Sequence, residues 1–146
     1  MEMKPMLKDH IGFTASTTSK MMRGCVNLTL KPFGITAEQW TVLKHLSFVS
    51  HINQKDLSKR TDKDQATLTK ILDLLEHHKL AARMPNPDDR RSFFIEITEQ
   101  GKKLVDEAKP LIECLYDDIL HGLSQNQIDM FMETLHHIQS NIKKLK

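Results

Sequence analysis

The stretch from Asn53 to Ile97 constrains this chain most, because its hydrophobic period changes partway and leaves few folds open. From Asp64 onward, Leu68, Ile71, Leu72 and Leu75 fall at i, i+3, i+4 and i+7, which lines one face of a helix reaching about His78. A shorter helix starts at Asn53 and runs to about Arg60, anchored by Ile52 and Leu57. Only Thr61-Asp62-Lys63 joins the two, so they pack closely, with the spacing of a helix-turn-helix. The pattern then switches to strands, Leu80 to Met84 and Ser92-Phe93-Phe94-Ile95-Glu96-Ile97. Pro85-Asn86-Pro87-Asp88-Asp89 continues neither helix nor strand, so the two strands form a hairpin with a Pro-rich, charged tip.

The flanks are helical. A first helix from about Lys4 should stop near Thr29 or Leu30, because Pro32 and Gly34 follow. Thr36 and Gln39 have the spacing of a capping box, opening a helix that carries Trp40, Leu43 and Leu46 on one face. Thr98 opens a long helix to about His121, in which Pro110 should kink or locally break the hydrogen-bond ladder. Gly122 ends it and Ser124 starts the last helix. There Ile128, Phe131, Met132, Leu135, Ile138, Ile142 and Leu145 keep the helical period almost to the terminus. So regular a stripe needs a cover, either a second copy of the chain or its own first helix.

With 39% hydrophobic and 27% charged residues, bulk disorder is excluded. Aromatics are only 5%, which favours helices over a β-sandwich. No apolar stretch approaches the roughly 18 residues that cross a bilayer. Met1 to Phe13 mixes Glu2, Lys4, Lys8, Asp9 and His10, unlike a signal peptide, so a cytoplasmic protein without a membrane partner is expected. The net charge of +2 does not single out nucleic acid, so any such case rests on where the charges sit.

They sit suggestively. If the Leu68 stripe faces inward, the opposite face of its helix presents Ala66, Lys70, Asp73 and His77, with Thr67 and Thr69 on its shoulders. Gln65 lies near the helix start, where backbone N–H groups and the positive dipole end favour phosphate. Such a helix fits the major groove, although the same residues also suit an ordinary solvated face. Arg90 and Arg91 lie beside the hairpin turn, placed to project into a narrow minor groove, while Asp88 and Asp89 weaken the local charge. Arg83 at the hairpin base either meets a phosphate or braces the wing.

Three stretches carry a specific resemblance: ITAEQWTVLKHL, NQKDLSKRTDKDQATLTKILDLLEHHKLAAR and NPDDRRSFFIEITEQGKKL. The most specific is the last, an Asp-Arg-Arg-Ser wing followed by a strand and Thr-x-x-Gly. Together they resemble the MarR family of multiple-antibiotic-resistance-type repressors. The resemblance implies a mainly α fold with a small β-hairpin wing, as one MarR-type domain over residues 1–146. Within it, residues 35–101 would form the winged helix-turn-helix lobe, and 4–31 and 102–146 the dimerisation helices. It further implies a homodimeric regulator of transcription, binding an imperfect palindrome in double-stranded DNA and acting as a repressor released by a small-molecule effector. On that basis Gln65, Ala66, Thr67, Thr69 and Lys70 would read DNA from the recognition helix. In the wing, Asp89 would hold Arg90 and Arg91 extended while Arg91 enters the groove. Met21, Met22 and Cys25 would line an effector pocket, although methionines so placed are more often plain core. The family usually has Gly where this chain has Asp62 and Lys79; Gly serves positive φ at such turns, and Asp tolerates that better than Lys, so Lys79 leaves the local geometry, though not the fold, open.

Other functions find less support. Cys25 and Cys114 are far apart and read as free thiols packed as small hydrophobes. Some relatives sense peroxide through a cysteine early in the first helix, but Cys25 comes later. His77-His78 and His136-His137 are adjacent pairs that diverge on a helix, so no metal site is expected. No phosphate-cradling Gly loop, nucleophile elbow or paired carboxylates suggest an enzyme or a cofactor. The remaining alternatives are a winged helix used only for protein contact, against which the Arg90-Arg91 tip argues, and a redox- or metal-responsive regulator.

Overall fold

The computed structural model describes residues 8–146. Six helices and a small sheet follow the chain in the order α1 (His10–Leu30), α2 (Ala37–Leu46), β1 (Ile52–Asn53), α3 (Gln54–Thr61), α4 (Gln65–His77), β2 (Ala81–Pro85), β3 (Phe93–Ile97), α5 (Glu99–Ile119) and α6 (Gln125–Lys144). The expected start of the first helix at Lys4 lies outside the described residues. Two compact units divide the described residues, one up to Leu115 and one from Tyr116 onward.

In the first unit, local chemistry sets the helix boundaries. A 3₁₀ turn at Lys31–Phe33 follows α1, and Gly34 closes it in the left-handed region at φ 74°. Thr36 and Gln39 complete their capping box: Gln39 N–H donates to Thr36 Oγ1 at 3.2 Å, and Thr36 N–H to Gln39 Oε1 at 2.9 Å. Asn53 caps α3 by accepting from Asp56 N–H at 2.8 Å. The core of this unit comes from Trp40, Leu43 and Leu46 of α2, Leu57 of α3, and Leu68, Ile71, Leu72 and Leu75 of α4, all buried. Val105, Ala108 and Ile112 of α5 are buried as well.

The sheet has three strands in the order β1-β3-β2, not the two expected from sequence. Ile52 pairs with Ile95 and Asn53 with Phe94, so the segment before α3 forms a short extra strand instead of extending the helix. Ile52 is buried there. Two residues are too short a run for alternation to reveal. β2 and β3 pair from Ala81↔Ile97 to Pro85↔Phe93, leaving β2 on the open edge.

The geometry left open at the Lys79 position resolves to the left-handed region, as at Asp62: Asp62 has φ 52° and Lys79 φ 62°, both without glycine. The Thr-x-x-Gly that follows β3 locks the start of α5. Thr98 Oγ1 donates to the Lys79 carbonyl at 2.7 Å and accepts from Gly101 N–H at 3.0 Å. A Cβ on Gly101 would lie 2.2 Å from the Leu80 carbonyl oxygen, so only glycine permits this approach. Pro110 sits inside α5, which runs on through it as one helical element. Its ring removes one N–H from the ladder, the local break expected there.

In the second unit, Gly122 (φ 88°) turns the chain and Ser124 caps α6 through a second capping box with Gln127. No residue of α6 is buried, and Phe131, Met132, Ile138 and Ile142 are exposed. Cys25 and Cys114 are free and exposed, not packed as expected. Each lies off the inward row of its helix, set by Val26 and Leu30 in α1 and by Ala108 and Ile112 in α5. Among the described residues, no helix is long and apolar enough to cross a membrane.

Candidate nucleic-acid interface

The helix-turn-helix is held tightly at its turn. Asp62 takes the left-handed conformation, Lys63 N–H donates to the Ser58 carbonyl at 3.0 Å, and the Ser58 hydroxyl donates to the Lys63 carbonyl. The Lys63 ammonium lies 3.8 Å from Glu38 of α2, and Glu38 is also 3.9 Å from Arg23 of α1. One carboxylate therefore ties the turn to both helices behind it.

At the start of α4, Asp64 accepts from Thr67 N–H at 2.7 Å and from the Thr67 hydroxyl at 3.1 Å. These bonds, the backbone one first, hold its carboxyl below the usual carboxylate range. Thr67 is thereby committed to the cap and only half-exposed. Thr69 is also engaged, donating to the Gln65 carbonyl at 2.8 Å and accepting from Gln54 Nε2 at 2.7 Å. Gln65, Ala66 and Lys70 remain exposed. Of the five recognition-helix residues expected to face DNA, these three present the freest surface, while Thr67 and Thr69 serve partly to shape it.

Gln54 was not anticipated. As the first residue of α3, it reaches across to Thr69 and places an amide beside the exposed face of α4. An Asn-Gln step at a helix start carries no mark of that partner, so only the crossing of the two helices reveals it.

The wing tip is built on Asn86. Its Oδ1 accepts from Asp88 N–H at 3.0 Å, and its Nδ2 donates to Ser92 Oγ at 2.9 Å. Asp89 Oδ1 accepts from Arg91 N–H at 2.9 Å, so Asp89 fixes the backbone of Arg91 and not its guanidinium. Asp88, Asp89, Arg90 and Arg91 are all exposed. Among the described residues, no ion pair joins them, so the loop is not neutralised by internal pairing.

Arg83 resolves toward bracing. From β2 its guanidinium contacts Asp73 at 2.8 Å and Glu76 at 3.2 Å, both on α4, and the Thr69 carbonyl at 3.4 Å. Its backbone N–H, on the open edge of the sheet, donates to Glu76 Oε2 at 3.1 Å.

Met21 and Cys25 are exposed on α1 and Met22 is half-buried. A cavity of about 400 Å³ opens elsewhere, lined by Val49, His51, Asn53, Lys59, Arg60 and Phe94 among others. In its wall His51 Nδ1 lies 2.6 Å from Glu96 Oε1. Among the described residues, no group of three metal-ligating side chains comes together.

The MarR family model matches residues 35–93, from the start of α2 into β3. That match and the structural neighbours support a MarR-family winged-helix regulator. Solved structures extend the likeness along nearly the whole chain. A MarR-family transcriptional regulator from Rhodococcus sp. RHA1 is 28% identical with a TM-score of 0.82, covering 92% of this chain and 96% of that one. CouR from Rhodococcus jostii RHA1, bound to p-coumaroyl-CoA, is 29% identical with a TM-score of 0.80, covering 92% and 95%. BpsR of Bordetella bronchiseptica, described with regulation of its DNA binding by 6-hydroxynicotinic acid, is 25% identical with a TM-score of 0.81, covering 89% and 98%. Together these matches support a transcriptional regulator.

Proposed function

We propose that this chain is a homodimeric repressor of the MarR type that reads an imperfect palindrome in double-stranded DNA and is released by a small-molecule effector. One observation carries the DNA reading. Among the described residues, the exposed side chains of Gln65, Ala66 and Lys70 on α4 make no hydrogen bond or ion pair, and the exposed wing arginines, likewise without an ion pair there, belong to the same lobe. The helix supplies donors of major-groove size at its N-terminal half, and Arg90 and Arg91 supply guanidinium groups suited to a narrow minor groove. BpsR, whose DNA binding is regulated by 6-hydroxynicotinic acid, supports both halves of the proposal. CouR, bound to p-coumaroyl-CoA, supports an effector for this chain, with α1 residues Met21, Met22 and Cys25 in its pocket.

The unburied apolar row of α6 supports the dimer, since a helix with this row in water would be costly to maintain. Residues 4–31 and 102–146 would build it, leaving residues 35–101 as a lobe that reads DNA. Two such lobes, roughly 34–36 Å apart, would address successive turns of one duplex face.

The test starts with the wild-type protein and a duplex recovered from a random pool by repeated selection. Fluorescence polarisation should give binding that falls steeply as salt rises, with two chains per duplex. Failure to enrich a duplex, or binding indifferent to salt, would instead favour a protein-contact role, for which exposed Met84 and Phe93 supply apolar anchors.

A further inference from the structure

Arg83 holds an unusual position for a cation on a DNA-reading lobe. Its side chain is only 19% exposed, and its guanidinium is spent on two carboxylates and a carbonyl of α4. Asp73 and Glu76 are three residues apart, and Thr69 lies four before Asp73, so the three form one row along the helix. That row runs beside Lys70. Asp73 is itself 62% exposed, close to where a phosphate would approach.

Without Arg83, two carboxylates would stand uncompensated on the edge of the reading helix and repel the DNA backbone. Glu76 takes a second role. By accepting from the Arg83 backbone N–H it occupies a donor on the open edge of β2, and so fixes the wing strand to α4 through one residue. The planar fork of arginine can meet both carboxylates and the carbonyl at once, and a lysine ammonium cannot. Thr69 continues the link to Gln54 of α3.

We propose that Arg83 is a positioning residue for DNA binding, acting through Asp73 and Glu76 to neutralise the edge of α4 and fix the wing beside it, without touching phosphate itself. The role holds only if the lobe reads DNA, as proposed for the chain as a whole.

The experiment uses the selected duplex and full-length protein, with folding followed by circular dichroism. Arg83→Met should weaken binding roughly three- to thirtyfold. The slope of log affinity against log salt should stay that of the wild type, because no phosphate contact is lost. Combining Arg83→Met with Asp73→Asn and Glu76→Gln should restore most of the affinity, since no carboxylate is left unpaired. Arg83→Lys, which retains charge without the fork, should be weakened at unchanged slope and serves if the methionine variant does not fold. A slope reduced by about 0.9, the mark of one lost phosphate contact, would overturn the proposal. So would a triple variant as weak as Arg83→Met, or a lysine variant with full affinity. Absence of binding by the wild type would instead overturn the DNA reading, and the role of Arg83 with it.

Discussion

Replacing Lys79 with glycine should stabilise the protein, because Lys79 holds φ 62° between α4 and β2. An L-residue pays about 1–2 kcal/mol in this conformation, through crowding of Cβ against the backbone. Glycine escapes that cost but loses about 0.5–1 kcal/mol through the greater freedom of its unfolded chain. The backbone contacts at the position survive the change: the Lys79 N–H still donates to the Glu76 carbonyl (2.9 Å), and its carbonyl still accepts from Thr98 (2.7 Å). The net gain should be about 0.5–1 kcal/mol, read as a higher urea midpoint at unchanged m, at one fixed protein concentration. Lys79→Ala is the control, since alanine keeps the Cβ and should bring no gain. Should alanine stabilise as much as glycine, or glycine not stabilise at all, the strain argument fails.

Gly101→Ala should act in the opposite direction. Its methyl would press on the Leu80 carbonyl at 2.2 Å and on Ile97 Cγ1 at 2.7 Å, costing about 1–3 kcal/mol as a lowered urea midpoint. Asp62→Gly should gain less than Lys79→Gly, because aspartate tolerates the left-handed region better than lysine; the two midpoint shifts compared side by side test this. The lowered pKa of Asp64 gives a pH prediction. A carboxyl depressed on folding contributes stability that is present above its unfolded pKa, about 3.9, and is lost as pH falls through the lower folded value. Asp64→Asn, which keeps a cap but no charge, should therefore differ from the wild type above that range and converge on it in acid; parallel stability curves across acid pH would contradict this.

Much of the lobe was legible because its signals are local. Thr36, Asn53 and Asp64 announce helix starts within three residues of the bonds they make. The Leu68 to Leu75 stripe faces inward because its period matches a helix. At Asp62 and Lys79 the backbone keeps the positive φ that glycine serves at such turns, so the turn decides the conformation more than the residue filling it, which the lysine itself did not announce. What stayed hidden is long-range. The pairing of Ile52 with Ile95 is too short to alternate. Gln54 meets Thr69, and Arg83 meets Asp73 and Glu76, only because separate elements cross. No spacing in the chain encodes those partners. The exposure of Cys25 and Cys114 was misjudged for a related reason: residue type gives a burial tendency, but the face of the helix decides.

The most direct test of the central claim substitutes one residue on each half of the reading surface. Lys70→Ala in α4 and Arg91→Ala in the wing, each measured on the selected duplex across a salt series, should each weaken binding by about 1–3 kcal/mol. If both variants bind with the affinity and salt slope of the wild type, the exposed face of α4 and the wing arginines do not meet DNA.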